Sequence, residues 1–265
     1  CHGLSVPIAN LGEVSEKQHW EAVCADMRTV NVHGKSVYPD VPWILLGHSM
    51  GSFISLSFAE RHSHLIDILV LQGTNYEAPW FTWSAHLFAA FECWRQGINA
   101  RSPIIHAMTF GKFARAFRPG SDYDWLSRDT AFVQRYLDDP RCGVTCSNGF
   151  WRDLLEGLSR TQRMSNLQKI RKDLPVYSFA GAKDPVGKEG VSVATLDDKL
   201  ETAGMMDVTL KIYEEARHDL FHETNRDEVL SDLVTWLDDT LLRVAQPACV
   251  LKPAHEPAAW LAGSA

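Results

Sequence analysis

Residues 41–62 read VPWILLGHSMGSFISLSFAERH. A short continuous apolar run leads to a glycine, and such runs are typical of strands that are buried on both faces. A run rich in small residues follows, and it predicts a helix. A serine at a sharp strand-to-helix turn sits in a strained backbone conformation with its hydroxyl raised clear of the sheet. The Gly-x-Ser-x-Gly pattern in this setting makes Ser49 a candidate nucleophile.

The neighbours of Ser49 fit a nucleophile elbow. Gly47 and Gly51 are expected to be glycines because a Cβ at either position would collide with the neighbouring strand or helix. His48 completes the turn. Met50 begins the helix, and its backbone N–H is predicted to be an oxyanion donor, because the free N–H groups of a helix N-terminus favour negative charge. The pattern alone occurs by chance in many proteins, so Ser49 also needs partners.

Strands and helices are predicted to alternate along most of the chain. Three further apolar runs predict strands: LIDILVLQGT (65–74), LPVYSFAG (174–181) and DVTLKIYEEA (207–216). Amphipathic periodicity predicts helices over 16–30, 191–204 and 226–242. This alternation indicates an α/β fold with a mostly parallel sheet covered by helices on both faces. Loops that carry function are then expected at the carboxyl ends of the strands.

The chain divides into four predicted regions. Residues 1–75 and 171–242 form two parts of one α/β core, and residues 76–170, without clear strands, form a helical insertion. Residues 243–265 are rich in Ala and Pro and predict a disordered tail. The aromatic residues of the insertion either line an apolar pocket or form its own core. Five of the nine tryptophans lie there: Trp80, Trp83, Trp94, Trp125 and Trp151.

An acid and a base follow two of the later strands. Asp184 lies in SFAGAKDPVG and His218 in KIYEEARHDLFHE, so the order is Ser, acid, His. A serine hydroxyl needs a base such as neutral imidazole, and a carboxylate must fix the imidazole tautomer. We therefore predict Ser49 as the nucleophile, His218 as the general base and then acid, and Asp184 as the orienting acid. Asp before Pro is also a common turn, Glu77 is a rival acid, and His222 is a rival base.

At these motifs the sequence resembles the α/β-hydrolases, within them the monoacylglycerol lipase and lysophospholipase-like branch grouped with serine aminopeptidase S33-type hydrolases. The matching segments are HGLS, LLGHSMGS, FAGAKDPVG and YEEARHDLFHE. Ser52 stands where a glycine is usual. The resemblance implies a serine ester hydrolase that acts through an acyl-enzyme on small-molecule monoacyl lipid esters, with the insertion as a cap over Ser49. It implies no metal and no organic cofactor.

The segment HGLS also bears on the start of the sequence. In the family it follows the fourth strand, and Cys1 stands where a glycine is usual. The resemblance therefore implies that the sequence begins after four strands and a helix, a portion that normally supplies the second oxyanion donor. We expect an unpaired edge on the strand that carries Ser49, and impaired activity of these residues alone.

Composition limits the partners. The net charge of -7 offers no field for a polyanion, so nucleic-acid binding is not expected, and no apolar run is long enough for a membrane span. Six scattered cysteines indicate reduced thiols and a cytoplasmic protein rather than a disulfide framework or a metal site. Lys112, Arg115 and Arg118 recur every three residues, which suits either transient contact with a membrane surface or an ordinary solvated helix face.

Other functions share parts of this pattern. A peptidase or amidase would use the same triad, and a thioesterase or transacylase would form the same acyl-enzyme. Hydrolases with an aspartate nucleophile are excluded by Ser49. A non-catalytic binding protein on the same scaffold would typically have lost a triad member, whereas all three are present here.

Overall fold

The computed structural model describes residues 4–14 and 19–245. Its sheet has four parallel strands in the order β1-β2-β3-β4. Each strand falls within a segment predicted from the sequence, and the α/β class with a parallel sheet is confirmed. The strands are β1 (Ile44–His48), β2 (Ile68–Gln72), β3 (Val176–Gly181) and β4 (Val208–Tyr213).

Ten α-helices lie within the described residues, six of them between β2 and β3. The helix predicted over 16–30 is described from His19 and continues to Val37, while residues 15–18 lie outside the described part. The helices are α1 (His19–Val37), α2 (Met50–His62), α3 (Pro79–Gln96), α4 (Pro103–Met108), α5 (Phe110–Arg115), α6 (Thr130–Asp138), α7 (Asn148–Thr161), α8 (Met164–Leu167), α9 (Val191–Thr202) and α10 (Arg226–Ala245).

The core lies on both faces of the two central strands, whose residues are all buried. Side chains alternate between the faces of a strand. Leu69 and Leu71 of β2 therefore join one apolar cluster, which includes Leu56 of α2 and Leu196 of α9. Ile68 and Val70 join a second cluster on the other face, which includes α10 residues such as Val229. This packing fixes the register of the strands, and with it the positions of the loops at their carboxyl ends.

The two outer strands are only partly covered. Among the described strands, β1 pairs only with β2, and the side chains of Ile44 and Leu46 are exposed although they lie on the same sheet face as the buried Ile68 and Val70. The prediction that this strand is buried on both faces is therefore wrong, whereas the expected unpaired edge is present in the described part. Leu45 points the other way and packs on the core. The carboxyl end of β1, where the site begins, is buried at Gly47.

The described residues also bear on the predictions about membrane spans, the tail and the cysteines. No helix among the described residues combines the length and the apolar character that crossing a membrane requires. Helix α10 continues to Ala245, three residues beyond its predicted end at 242, so residues 243–245 of the predicted tail are helical, and residues 246–265 lie outside the described part. Four cysteines are free in the described part: Cys24, Cys93, Cys142 and Cys146.

Candidate active site

The three predicted catalytic side chains meet at one edge of the sheet. Ser49 follows β1, Asp184 follows β3 and His218 follows β4, and parallel strands bring their carboxyl ends to the same edge. Nε2 of His218 lies 2.8 Å from Oγ of Ser49. Nδ1 of the same ring lies 2.9 Å from Oδ2 of Asp184. These three residues are called the triad below. Their side chains form one continuous hydrogen-bonded series.

The turn at Ser49 has the strained geometry of an elbow. Its φ of 53° and ψ of −123° lie in a region that non-glycine residues rarely adopt. The backbone N–H of Ser49 donates to the carbonyl oxygen of Gln72 at 2.9 Å, which anchors the turn to β2. Met50 is the first residue of α2, so its N–H has no acceptor within the helix. Met50 directly follows Ser49 in the chain, and its role as an oxyanion donor stays a prediction.

The two glycines of the elbow differ in what they contribute. A Cβ on Gly47 would lie 2.4 Å from the carbonyl oxygen of Gly51 and 2.5 Å from Oγ of Ser55, so no side chain fits there. The expectation for Gly47 is confirmed. A Cβ on Gly51 would meet nothing within 4 Å. The expected collision at Gly51 is wrong, because this residue points away from the strand and into open space.

Ser52, the departure from the family pattern, is buried and contacts the elbow. Its hydroxyl and its backbone N–H both bond to the carbonyl oxygen of Ser49, at 2.6 and 2.8 Å. The extra hydroxyl therefore ties down the first turn of α2 without touching the Ser49 side chain.

Asp184 is fully buried, and both of its carboxylate oxygens are used. Oδ1 accepts from the backbone N–H of Val186 at 2.8 Å, which is the turn that an Asp-Pro pair favours. Oδ2 faces His218. A carboxylate can only accept, so Nδ1 of His218 carries the proton and Nε2 is free to accept the hydroxyl proton of Ser49. The turn and the catalytic interpretations of Asp184 are thus compatible.

Three residues to which the sequence assigned no role in the site contact His218, two of them at its ring and one at its backbone. The Trp125 ring lies 5.1 Å from the His218 ring between centroids. Gly73 has φ +60° and passes so close that a Cβ there would lie 3.0 Å from Cε1 of His218. Gln72 donates from Nε2 to the backbone carbonyl oxygen of His218. The only signal for Gln72 in the sequence is a polar residue that ends an otherwise apolar strand.

His48 lies on another side of the same site. Its ring centroid is 5.0 Å from that of His218, and its Nδ1 contacts Oε1 of Gln72. Burial, and then the nearby His218, lower the pKa of His48 to about 4. His48 is therefore neutral at physiological pH and places no positive charge beside the His218 ring.

The rival acid and base lie elsewhere. Oε2 of Glu77 pairs with Nζ of Lys188 at 2.8 Å. His222 is half exposed, contacts Asp219 through Nδ1 at 3.0 Å and stacks on Phe132 with centroids 4.2 Å apart. Among the described residues, neither Glu77 nor His222 has a contact with the triad.

A cavity of about 250 Å³ lies between α3, α4 and α7. Aromatic rings connect it to the triad: Trp151, in its wall, lies 5.6 Å from Phe110, which lies 6.1 Å from Trp125, the neighbour of His218. The wall is almost entirely apolar: Phe81, Ser84, Ala85, Phe88, Ala89, Ile105, Met108, Thr109, Trp151 and Leu155. The cavity can seat an apolar group, and the rings of Phe110 and Trp125 lie between its wall and the triad.

The remaining tryptophans of the insertion follow neither interpretation offered by the sequence. Trp80, Trp83 and Trp94 are 71%, 60% and 81% exposed, so they form neither the core of the insertion nor the wall of this cavity. Periodicity could not distinguish an inward face of α3 from an outward one, because both faces carry aromatic residues.

The sequence matches a known protein family over most of its length. Residues 2–225 match the family model described as serine aminopeptidase, S33. The chain belongs to this family. It is 28% identical over 218 residues to a monoglyceride lipase of Rattus norvegicus, covering 80% of this chain and 63% of that protein. It is also 28% identical over 217 residues to a monoacylglycerol lipase of Mycolicibacterium smegmatis, with 80% and 68% covered.

Solved structures support the same fold. The structure of a thermostable carboxyl esterase from Bacillus coagulans superposes with a TM-score of 0.78 at 24% identity, covering 87% of this chain and 74% of that one. Together with the family match, this likeness confirms the predicted α/β-hydrolase fold and the resemblance to the S33 hydrolases. The chain spans 63% of the length of the rat relative.

Proposed function

We propose that this protein is a serine ester hydrolase that acts through an acyl-enzyme on monoacyl lipid esters of the monoacylglycerol or lysophospholipid type. The observation that carries the proposal is the hydrogen-bonded series from Oγ of Ser49 through His218 to the buried Asp184. The strained turn at Ser49 and the helix that begins at Met50 place this series beside free backbone N–H groups.

The chemistry follows from these positions. Oγ of Ser49 attacks the ester carbonyl carbon while Nε2 of His218 takes its proton, and Asp184 stabilises the imidazolium through Nδ1–H. The N–H of Met50 donates to the oxyanion of the tetrahedral intermediate, and one such donor is worth roughly 2.7–4 kcal/mol. The intermediate collapses to the acyl-enzyme, and the leaving alkoxide takes the proton from Nε2. Water then repeats the two steps and releases the fatty acid.

The substrate class rests on the cavity and on the relatives. The apolar wall of the cavity suits an acyl chain, and the aromatic rings from Trp151 to Trp125 connect it to His218. Two relatives of similar sequence are described as a monoglyceride lipase and a monoacylglycerol lipase. A peptidase or amidase, a thioesterase or a transacylase would use the same triad, so substrate profiling must separate these activities.

The test begins with a fluorophosphonate probe, with the modified residue mapped by mass spectrometry. We expect labelling at Ser49 that disappears in Ser49→Ala and falls at least 10³-fold in rate in His218→Ala. Glu77→Gln and His222→Gln, which change the rival residues, should label normally. Folded protein that does not label would overturn the proposal of an activated serine.

Substrate profiling then tests the ester class. Monoacylglycerols and lysophospholipids of 8–18 carbons, a matched acyl thioester, and an aminopeptidase substrate are compared by kcat/KM. We expect the monoacyl lipid esters to exceed the amide by orders of magnitude, with a preference that follows chain length. Leu155→Trp, which fills the cavity, should lower kcat/KM for long chains far more than for short ones. Equal effects on all chain lengths would contradict the assignment of the cavity.

The proposal includes transient contact between the helical insertion and a lipid surface. Tryptophan is the residue that prefers the membrane–water interface. The outer face of α3 carries apolar residues at intervals of three and four, which places them on one side of the helix. All five are exposed: Trp80, Trp83, Leu87, Phe91 and Trp94. The three cationic residues Lys112, Arg115 and Arg118 support membrane contact less strongly. The Arg118 guanidinium is already paired with Asp122.

This contact is tested by co-sedimentation with phosphatidylcholine vesicles, with and without phosphatidylserine. We expect the wild type to bind both, and a variant with Trp80→Ser, Trp83→Ser and Trp94→Ser to lose most binding while it still labels at Ser49. A second variant changes Lys112, Arg115 and Arg118 to Gln. It should lose only the increment that phosphatidylserine adds. Wild-type binding by the triple tryptophan variant would overturn this part of the proposal.

A further inference from the structure

A short part of the insertion lies alongside the loop that carries His218. The 124–128 segment (Asp124 to Arg128) connects α5 and α6, and it runs beside residues 217–223. The backbone N–H of His218 donates to the carbonyl oxygen of Trp125 at 3.3 Å, and that of Asp219 donates to Leu126 at 2.7 Å. The hydroxyl of Ser127 donates to the carbonyl oxygen of His222 at 2.7 Å. The base is thus bonded to the insertion through its own backbone.

The buried carboxylate of Glu223 joins the 124–128 segment to the loop that carries His218. The Glu223 side chain has no exposed surface. Its Oε1 accepts from the backbone N–H of Arg217 at 2.9 Å and from that of Arg128 at 3.1 Å. Its Oε2 accepts from Nε of Arg128 at 2.9 Å and from the N–H of Thr224 at 2.8 Å. With the Thr224 hydroxyl, which donates to Oε2 at 3.4 Å, five donors from the two stretches of chain converge on this one side chain.

The side chain of Arg217, in the loop that carries His218, also bonds to the 124–128 segment. Nη1 of Arg217 donates to the carbonyl oxygens of Asp124 and Ser127, at 2.5 and 3.1 Å. Arg217 is the residue before His218, so the base is held on one side by Arg217 and on the other by Glu223. Trp125, Leu126 and Ser127 are all buried.

We propose that Glu223 is a positioning residue for His218: through Arg128 it holds the 124–128 segment against the loop, and the segment holds the base at its distance from Ser49. The inference rests on the proposed function. Displacement of a catalytic group by about 1 Å costs on the order of 10²-fold in rate. The charge of Arg128 strengthens the bond to Glu223, because hydrogen bonds between ionised groups are roughly twice as strong as neutral ones.

The test uses Glu223→Gln, which keeps the size of the side chain and removes its charge. Asp153→Asn is the matched control, because Asp153 is also a buried carboxylate of the insertion, and it accepts from Arg152 and from the backbone N–H of His19. Both variants should lose thermal stability. We expect only Glu223→Gln to lose kcat, by about tenfold or more with KM within threefold, and to lose the rate of fluorophosphonate labelling in proportion.

A second pair of variants covers a failure of Glu223→Gln to fold. Arg128 is partly exposed, so Arg128→Met is tolerated more readily and should lower kcat in the same way, whereas Arg128→Lys keeps the charge and should restore most of it. Wild-type kcat and labelling rate in folded Glu223→Gln or Arg128→Met would overturn the inference. Absence of labelling in the wild type would instead overturn the proposed function, so the two failures are distinguishable.

Discussion

The side-chain amide nitrogen of Gln72 donates a 2.6 Å hydrogen bond to the backbone carbonyl oxygen of His218. Gln72 ends β2 and is fully buried, and its Oε1 contacts Nδ1 of His48. A buried amide with both ends paired is held firmly, because breaking either contact leaves an unsatisfied polar group. Gln72 thus fixes the loop of the base relative to the strand beside Ser49.

We predict that Gln72→Leu lowers kcat by roughly 10- to 100-fold, because the carbonyl of His218 loses its donor and the base moves. Gln162→Leu is the control. Gln162 is also buried, with Oε1 accepting from Glu77 and Nε2 donating to Asn75, but it does not contact the triad. Each variant should lose about 1–3 kcal/mol of unfolding free energy. Equal loss of kcat in both would show that Gln72 acts only through stability.

The elbow predicts opposite results for its two glycines. Gly47→Ala should abolish activity and destabilise the fold by about 3 kcal/mol or more, since its Cβ would lie 2.4 Å from a backbone oxygen of the helix. Gly51→Ala should keep activity within about threefold, and should raise stability by about 0.5–1 kcal/mol, because Ala is the better helix former. Steady-state kinetics and thermal unfolding measure both. Inactive but stable Gly51→Ala would contradict the open space that the structure shows.

The sequence predicted the parts of the site that chain order and strand ends determine. Ser49, Asp184 and His218 each follow an apolar run, and parallel strands bring such positions together whatever else the chain does. Gln72 and Trp125 were missed because their roles depend on which segments pack together. A polar residue at a strand end and a tryptophan in a helical insertion carry no local signal of proximity to His218.

His48 leads to a prediction about pH. Its pKa is lowered to about 4, so it carries no charge near neutral pH, where we propose that His218 acts as a base. His48→Gln removes the imidazole and keeps a neutral polar side chain. We expect the acid limb of the kcat/KM profile to keep its midpoint within about 0.3 pH units, although kcat itself falls. A shift of the midpoint to higher pH by a full unit would show that His48 is charged in the wild type.

Burial was predicted less well at the periphery than at the centre. The runs that became β2 and β3 are buried throughout, as their apolar character indicates. The equally apolar run of β1 leaves Ile44 and Leu46 exposed. The sequence of a strand does not determine which other elements pack against it. The exposed tryptophans of α3 show the same limit. Apolar periodicity identifies a helix face, and only the tertiary structure shows whether that face is covered.

Asp197 of α9 predicts an unusual dependence of stability on pH. Its carboxyl is buried, bonds to the hydroxyl of Ser178 at 2.7 Å and leaves Oδ2 without a hydrogen-bond partner among the described residues. Burial raises the pKa of Asp197 to about 7, above its ordinary value of 3.8. Between pH 3.8 and about 7, the Asp197 carboxyl is therefore protonated in the folded state and ionised in the unfolded state. The stability from this proton is fully present below pH 3.8 and is lost as pH rises through about 7.

We expect the stability of Asp197→Asn to increase relative to the wild type as pH rises. The amide does not ionise, so the variant does not undergo the loss of stability that ionisation of Asp197 causes in the wild type. The difference in unfolding free energy should increase by roughly 2–3 kcal/mol between pH 5 and pH 8, measured by urea unfolding at both values. Asp198→Asn, at an exposed position of the same helix, is the control and should show no such trend. A constant difference for Asp197→Asn would mean that the Asp197 carboxylate ionises normally in the folded protein, with water or a rearranged neighbour compensating its burial.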